Sequence, residues 1–329
     1  MMWAMQKDLD VLKTQELPNG LMVAGGGDYD KVWIRDNVYV AMAFLEAGLV
    51  VKAATIYEQL FRIIQKYEYI LDLGKYPETE TDLLPPRFTP EGAKVAGQWG
   101  NKQYDAIGVV LFGLGQLYEV HPDAVSTYQE QLCQKLITYL ENCRYWEDPD
   151  DGMWEDQPTL HTSSLAACIR GIESVSPFCN FNKDYIEYAR ANLKQLLPRE
   201  STLHTVDMAQ LSLIWPYGYR LIEIVNNVEK NLLRVNGVIR FAGDVYEAQG
   251  NAEPQWVMGI PWLGIAHFEL GDTAKAQYYH DKMQELYTSK GLPEAYVAHN
   301  ETCIHTPLAW SHAMALILRV KLANAGSKV

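Results

Sequence analysis

From Asp105 to Tyr118 the chain reads DAIGVVLFGLGQLY. Past the aspartate no charge interrupts it, and its apolar side chains fall on nearly every face of a 3.6-residue helix. A helix without a polar face must be covered on all sides. The stretch 50–68, VVKAATIYEQLFRIIQKYE, is built the other way. Lys52, Glu58, Arg62, Lys66 and Glu68 are its charged residues, and Ile56, Leu60, Ile63 and Ile64 line one face, as in an amphipathic surface helix. The two kinds alternate along the chain. The segments 183–197, 219–234 and 272–288 are charged like 50–68. By contrast, 254–270 carries one acid at its end, Glu269, and 306–320 has only Arg319.

The periodicity predicts helices at 2–16, 32–48, 50–68, 104–120, 125–144, 160–175, 183–197, 206–215, 219–234, 254–270, 272–288 and 306–324. No strand pattern competes with them. The links at 49, 121–124, 176–182, 216–218 and 271 are short, as in antiparallel helix hairpins. Those at 17–31, 69–103, 145–159, 198–205, 235–253 and 289–305 are mostly long. Each longer link leads from a charged helix into an apolar one, so all six fall on one rim. The expected fold is all-α, an (α/α)6 barrel with a toroid of six inner and six outer helices. An open helical solenoid is the alternative. Closure is favoured because the inner helices lack a polar face and the repeats share no short consensus. Long loops in a compact domain are usually functional, which directs attention to that rim.

Composition bounds the function. The 329 residues are 48% hydrophobic, enough for a substantial core, and the net charge of -13 disfavours nucleic acid or an anionic membrane as partner. Five cysteines form no C-x-x-C pair and read as reduced thiols. The start, MMWAMQKDLD, has no apolar stretch of signal-peptide length, and no run of ~18 apolar residues occurs. A single cytoplasmic domain over 1–329 is the expectation, with no cofactor. The oligomeric state is not readable.

The rim segments carry polar and aromatic residues in concentration. Trp33-Ile34-Arg35-Asp36 opens the first apolar helix. An Arg–Asp pair suits two neighbouring sugar hydroxyls, although a buried ion pair at a helix start reads the same way. Gly97-Gln98-Trp99-Gly100-Asn101-Lys102-Gln103-Tyr104-Asp105 is amide-rich and aromatic, and Asp105 equally suits a helix cap. Seven acids crowd between Tyr139 and Thr162, among them Glu155 and Asp156 in Met153-Trp154-Glu155-Asp156. Crowding and aromatic neighbours raise carboxyl pKa values, as a general acid requires. A solvated acidic loop or a calcium site remains open. The Pro and Gly of this loop break any helix, which disfavours a prenyl-diphosphate metal motif. Arg240-Phe241-Ala242-Gly243-Asp244-Val245-Tyr246 precedes Trp256 and Trp262, two tryptophans whose helical spacing suits a core more than a stacking platform for sugar. Glu294 is a lone acid in Leu292-Pro293-Glu294-Ala295-Tyr296, ahead of Trp310. His305 and His312 read as packing histidines. No metal-ligand spacing, phosphate loop or dinucleotide fingerprint is present.

The ordered set VWIRDNVYV, QYDAIG, GMWED, HTSSLAACIRGIE, RFAGDVY, IPWLGIAHFELGD and LPEAYVAHNETCIHTPLAWSHAM spans residues 32–320. It resembles glycoside hydrolase family 15, the glucoamylases and glucodextranases, and also the glucoamylase-like domain of phosphorylase kinase regulatory subunits. The resemblance implies the same barrel. It implies an exo-acting hydrolase that inverts at the anomeric carbon and releases glucose from an α-linked oligosaccharide or polysaccharide. Glu155 matches the family's general acid and Glu294 its general base. Arg35, Asp36 and Arg240 match its sugar contacts, and Trp33, Trp99, Asp105, Trp154, Asp156 and Trp310 complete the expected pocket. The HTSSL run leans toward the phosphorylase kinase side, where a catalytically silent sugar-binding regulatory domain is the alternative. The linkage (α-1,4, α-1,6 or α,α-1,1) is left open.

Overall fold

The computed structural model describes residues 2–97, 99–247, 252–298 and 301–326. Gln98, part of the amide-rich rim segment, lies outside the described residues. Twelve principal helices follow one another: α1 (Met2–Gln15), α2 (Ile34–Glu46), α3 (Val50–Gln65), α4 (Tyr104–Val120), α5 (Thr127–Asn142), α6 (Thr162–Ser174), α7 (Lys183–Leu196), α8 (Leu211–Ile214), α9 (Ile222–Asn231), α10 (Gly259–Glu269), α11 (Thr273–Gln284) and α12 (Ala309–Gly326).

Burial separates them into two layers. Along α4, every residue from Tyr104 to Gly115 is buried, and along α10 every residue from Gly259 to His267. On α3 only one face is buried, through Ala53, Ile56, Tyr57, Leu60, Phe61, Ile63 and Ile64, while Glu58 and Arg62 pair in solvent. The inner helices pack in sequence, α2 on α4, α4 on α6, α6 on α8, α8 on α10 and α10 on α12. Then α12 packs back on α2. That last contact closes the ring and removes the open solenoid from consideration. The fold is the (α/α)6 toroid.

Glycine allows the tightest of these contacts. A Cβ added to Gly108 of α4 would stand 2.4 Å from the Ala167 carbonyl carbon of α6, and one on Gly171 would stand 2.2 Å from the Gly108 oxygen. The two helices therefore meet backbone to backbone, and an alanine at either position forces them apart. Aromatic rings fill the middle of the ring. Tyr39 stacks on Trp310 at 4.7 Å and meets Trp215 and Trp262 at 5.9 and 5.8 Å.

Several departures from the sequence reading occur, most of them at the rim. Val32 and Trp33, expected as the first turn of a helix, form a strand, β1, antiparallel to β2 (Arg87–Phe88). A second small sheet joins β3 (Gln255–Trp256), β4 (Ala295–Ala298) and β5 (Glu301–Thr302). The helix expected at 206–215 begins as a 3-10 turn at Met208–Gln210 and lasts only to Ile214 as α8. Asp207 caps that turn in a reciprocal box with Gln210, which fixes its start. A short additional helical turn, Glu68–Leu71, follows α3.

Candidate active site

The six longer links, ahead of α2, α4, α6, α8, α10 and α12, share one rim, and there the ring opens into a cavity of about 580 Å³. That volume suits a small ligand (~300–1,000 Å³). Its wall includes Trp33, Arg35, Asp36, Trp99, Trp154, Glu155, Asp156, Arg240, Glu294 and Trp310. Of the expected pocket residues only Asp105 is outside the wall. It is buried directly behind Arg35.

The first wall is built from the start of α2. Strand β1 delivers an extended chain into the helix, with Trp33 as the residue before its first turn. Asn37 holds the entry, donating to the Trp33 and Met22 carbonyls at 2.9 and 3.0 Å and accepting from the Met22 amide at 2.8 Å. Arg35 Nη1 donates to Asp105 Oδ2 at 2.6 Å and to Gln103 Oε1 at 3.2 Å, and its Nη2 stands 3.7 Å from Glu155 Oε1. The expected buried ion pair at this helix start thus exists, but Asp105 is the partner of Arg35. Asp36 faces the cavity. Its burial pushes its carboxyl up to about 7, against the pull of Arg35 and with a push from Glu155.

Glu155 occupies a tight turn in the acid loop. Its φ of +60° lies in the left-handed region, which costs a non-glycine residue roughly 1–2 kcal/mol. Backbone bonds hold that turn. The Glu155 amide donates to Gly152 O at 3.2 Å and the Asp156 amide to Asp151 O at 2.9 Å, while Asp150 and Thr159 exchange two bonds at the loop's neck. One carboxylate oxygen, Oε1, accepts from Trp33 Nε1 at 3.1 Å and from Gln103 Nε2 at 3.2 Å.

Glu294 sits just ahead of β4, 2% exposed. Its backbone is pinned by bonds to Val257 and His305, and Cys303 Sγ donates to its Oε2 at 3.5 Å. Desolvation dominates here and raises the carboxyl to about 8, partly opposed by Cys303, Arg240 and Tyr29. Tyr29 and Tyr246 are hydrogen-bonded through their hydroxyls beside it, and Tyr29 stacks on His305 at 3.7 Å. His305 also meets Glu247 Oε1 at 3.0 Å.

The rest of the wall is aromatic and braced from behind. Arg240 makes a two-point contact with Asp244 at 2.7 and 2.8 Å, the geometry that fixes a guanidinium plane. Its charge lies 4.7 Å from the Trp256 ring centre and 5.0 Å from that of Tyr246. Trp154 Nε1 donates to buried Asp207 at 2.7 Å. Arg87 covers Trp99 at 3.5 Å. Trp310 Nε1 is buried and has no hydrogen-bond partner among the described residues. Among the described residues no group of three or more His, Cys, Asp or Glu is arranged to hold a metal ion, and no helix is long and apolar enough to cross a membrane. All five cysteines are free and buried.

Several wall residues had no role in the sequence reading. Tyr29, Met153, Asp244 and Tyr246 all line the cavity. For Trp256 and Trp262 alike the sequence reading favoured core over a stacking platform for sugar. Trp262 is core, fully buried with its Nε1 on Trp215 O at 2.9 Å, but Trp256 faces the cavity. His312 packs as expected, between Asp8 and the Leu292 amide.

The sequence pattern of glycosyl hydrolases family 15 matches residues 10–287. The chain belongs to this family. The family match includes Arg35, Asp36, Glu155 and Arg240 and ends before Glu294. Among relatives of this family 15 chain, isomaltose glucohydrolase from Kribbella flavida is 24% identical, over 88% of this chain and 84% of its own length. The liver isoform of the phosphorylase b kinase regulatory subunit alpha from Mus musculus is 25% identical over 84% of this chain. The chain spans only 27% of that subunit's length. A solved glycosidase variant in complex with glucose superposes with a TM-score of 0.79 at 22% identity, over 98% of this chain and 96% of its own.

Proposed function

We propose that this chain is an inverting, exo-acting glycoside hydrolase that releases glucose from an α-glucoside or α-linked oligosaccharide. The observation that carries this reading is the placement of two glutamates in one cavity by the third and sixth of six rim links, half a ring apart. Glu155 protonates the glycosidic oxygen. Glu294 takes a proton from a water on the far face of the sugar ring. Inversion calls for the two carboxyl groups to stand ~6.5–9.5 Å apart with that water between them. The oxocarbenium-like charge on the sugar is met by Asp36. Arg35 and Arg240, each locked to a carboxylate, present fixed donors to sugar hydroxyls, and the tryptophans present apolar faces to the ring. The packed rings of Tyr39, Trp262 and Trp310 close the centre of the barrel below the wall. A pocket closed below admits a chain end, which supports exo action. Glucose is supported as the product by the glucose-bound glycosidase and by the isomaltose-cleaving relative.

The raised carboxyl of Glu294 must be reconciled with its role as base. A group titrating at about 8 is about one-tenth ionised at pH 7, a penalty of about 1.4 kcal/mol. Hydrolases lower their barriers by roughly 8–23 kcal/mol. The penalty is therefore small beside the effect to be explained, and it leaves the assignment standing.

A second reading is favoured by the phosphorylase kinase relative, namely a sugar-binding regulatory domain that does not turn over. Incubation with maltose, maltotriose, isomaltose and trehalose, followed by NMR of the anomeric protons, separates the two. β-Glucose as first product from at least one sugar, lost in Glu155→Gln and Glu294→Gln, is expected. α-Glucose as first product refutes inversion. Binding without any cleavage establishes the regulatory reading instead.

A further inference from the structure

Below the Glu155 turn, away from the cavity, lies a buried cluster that the reaction as proposed does not use. His161 stands immediately before α6, with its side chain 8% exposed. Its Nδ1 is 3.4 Å from Oε1 of Glu200, which is itself 1% exposed. Glu200 is anchored in turn. It accepts from Thr162 Oγ1 and Ser163 Oγ, both at 2.5 Å, and from the Ser163 amide at 3.3 Å. It thus caps the start of α6 while it holds His161. The opposite edge of the imidazole, Nε2, is buried with no hydrogen-bond partner among the described residues and abuts Gly152. A Cβ on Gly152 would come within 2.7 Å of that nitrogen, and Gly152 has a φ of +64°. Gly152 O is the acceptor for the Glu155 amide. One ring therefore stands between a fixed carboxylate and the residue on which the Glu155 turn closes.

We propose that His161 is a positioning residue, a prop seated on Glu200 that holds the Gly152–Asp156 turn so that the Glu155 carboxyl stays in the cavity. The function of the prop rests on the reading of Glu155 as the proton donor. A non-glycine residue in the left-handed region persists when its surroundings over-determine it, and the Glu155 turn has such surroundings on its buried side. Three acids surround the ring. Glu200 and Asp207 face it from the link ahead of α8, and Asp150, which accepts from the Tyr104 amide and Ser164 Oγ, faces it from the acid loop. These three acids raise its titration to about 9, against the opposing effect of burial. His204, 3.3 Å from Asp207, is the next ionisable group beyond them.

The role is distinguishable from general structural support. In His161→Gln the hydrolysis of an α-glucoside, which needs Glu155 in place, is expected to fall ~10- to 100-fold in kcat with KM changed less than threefold. Hydrolysis of α-glucosyl fluoride, whose leaving group needs little proton donation, is expected to stay within about threefold. Equal losses on both substrates overturn the proposal. Hydrogen exchange of the amides of Glu155 and Asp156 is read in parallel, and it does not depend on turnover. Those amides are expected to exchange at least tenfold faster in His161→Gln, while the α6 amides keep their protection. Unchanged exchange at Glu155 and Asp156, or a loss spread over α6 as well, refutes the prop. If wild type cleaves neither substrate, the hydrolase reading fails and the exchange result still decides the proposal. Gly152→Ala is a second variant, pressing on the same ring from the other side. It is expected to give the same pattern, and normal exchange there also refutes the prop.

Discussion

Removing the proton donor should expose the titration of the base. In Glu155→Gln the carboxyl left to take the proton from the attacking water is Glu294, which burial raises to about 8. On α-glucosyl fluoride, where departure of fluoride needs little acid assistance, the rate then follows the ionised fraction of Glu294. A group titrating at about 8 is roughly one-eleventh ionised at pH 7 and ten-elevenths ionised at pH 9, so kcat/KM should climb about tenfold over that interval. On an ordinary glucoside the same variant should lose about 10²–10⁴-fold, the usual contribution of general acid–base catalysis. Glu294→Gln should lose a similar factor on both substrates, because the attacking water has lost its base. Fluoride release over pH 5–9 with an ion-selective electrode measures all of this. The environment of the two groups makes the test a sharp one. Arg35, Trp33 and Gln103 gather on Glu155 Oε1, whereas Glu294 is shut away from solvent. Should Glu155→Gln abolish fluoride hydrolysis while Glu294→Gln preserves it, the roles are exchanged and the reasoning above is wrong.

Asp105→Asn leaves Arg35 buried without its 2.6 Å carboxylate. Breaking one side of a buried pair costs ~3–5 kcal/mol, so urea denaturation should show a large loss of stability, and an unchanged midpoint would contradict the pairing. Trp154→Phe removes the bond to Asp207. A hydrogen bond to a charged group contributes ~1.5–3 kcal/mol, so calorimetry should show glucose bound about 10- to 100-fold more weakly if that ring is held for the sugar. Thermal stability should fall between pH 6 and 9. Asp36 and Asp150, raised to about 7, and Glu294, raised to about 8, bind protons more tightly folded than unfolded. Their stabilisation is complete below about pH 4 and is lost as pH rises through those values. His161, raised to about 9, acts in the same direction, complete below about 6.5 and lost through 9. A Tm that rises over this range, followed by scanning fluorimetry, would show that these burial effects are not present in solution.

The ring was legible because its evidence is local and repeated. Uncharged stretches such as Ala106–Tyr118 require cover on every side, and the difference in link length is visible without knowing any contact. Val32–Trp33 was not legible as a strand because its partner, Arg87–Phe88, lies 55 residues away and two paired residues leave no alternation to read. The shortness of α8 was hidden in the same way, since Asp207 and Gln210 define a capped turn only once their reciprocal bonds are seen. In the site, motif order pointed to Glu155, Glu294, Arg35 and Arg240. Asp105 was placed one layer too far forward, because sequence does not distinguish a carboxylate that meets ligand from one that meets the arginine behind it. Tyr29 was missed, and Trp256 was weighed toward the core, for a related reason. Tyr29 has no helical register, and Trp256 precedes α10 in an extended segment, so the period that suggested core did not apply to it.

Closure of the ring by α12 against α2 has a consequence for how the molecule comes into being. During synthesis Arg35 and the Glu155 turn emerge early, but the gap between α2 and α10 stays open until the final inner helix is made. Until then the cleft is a trough facing water along one flank, without Trp310 in its wall. A ribosome-tethered chain halted after Glu294 would possess both acids and still lack an enclosed chamber to use them in. Any hydrolytic capacity should therefore arrive in one step, with α12.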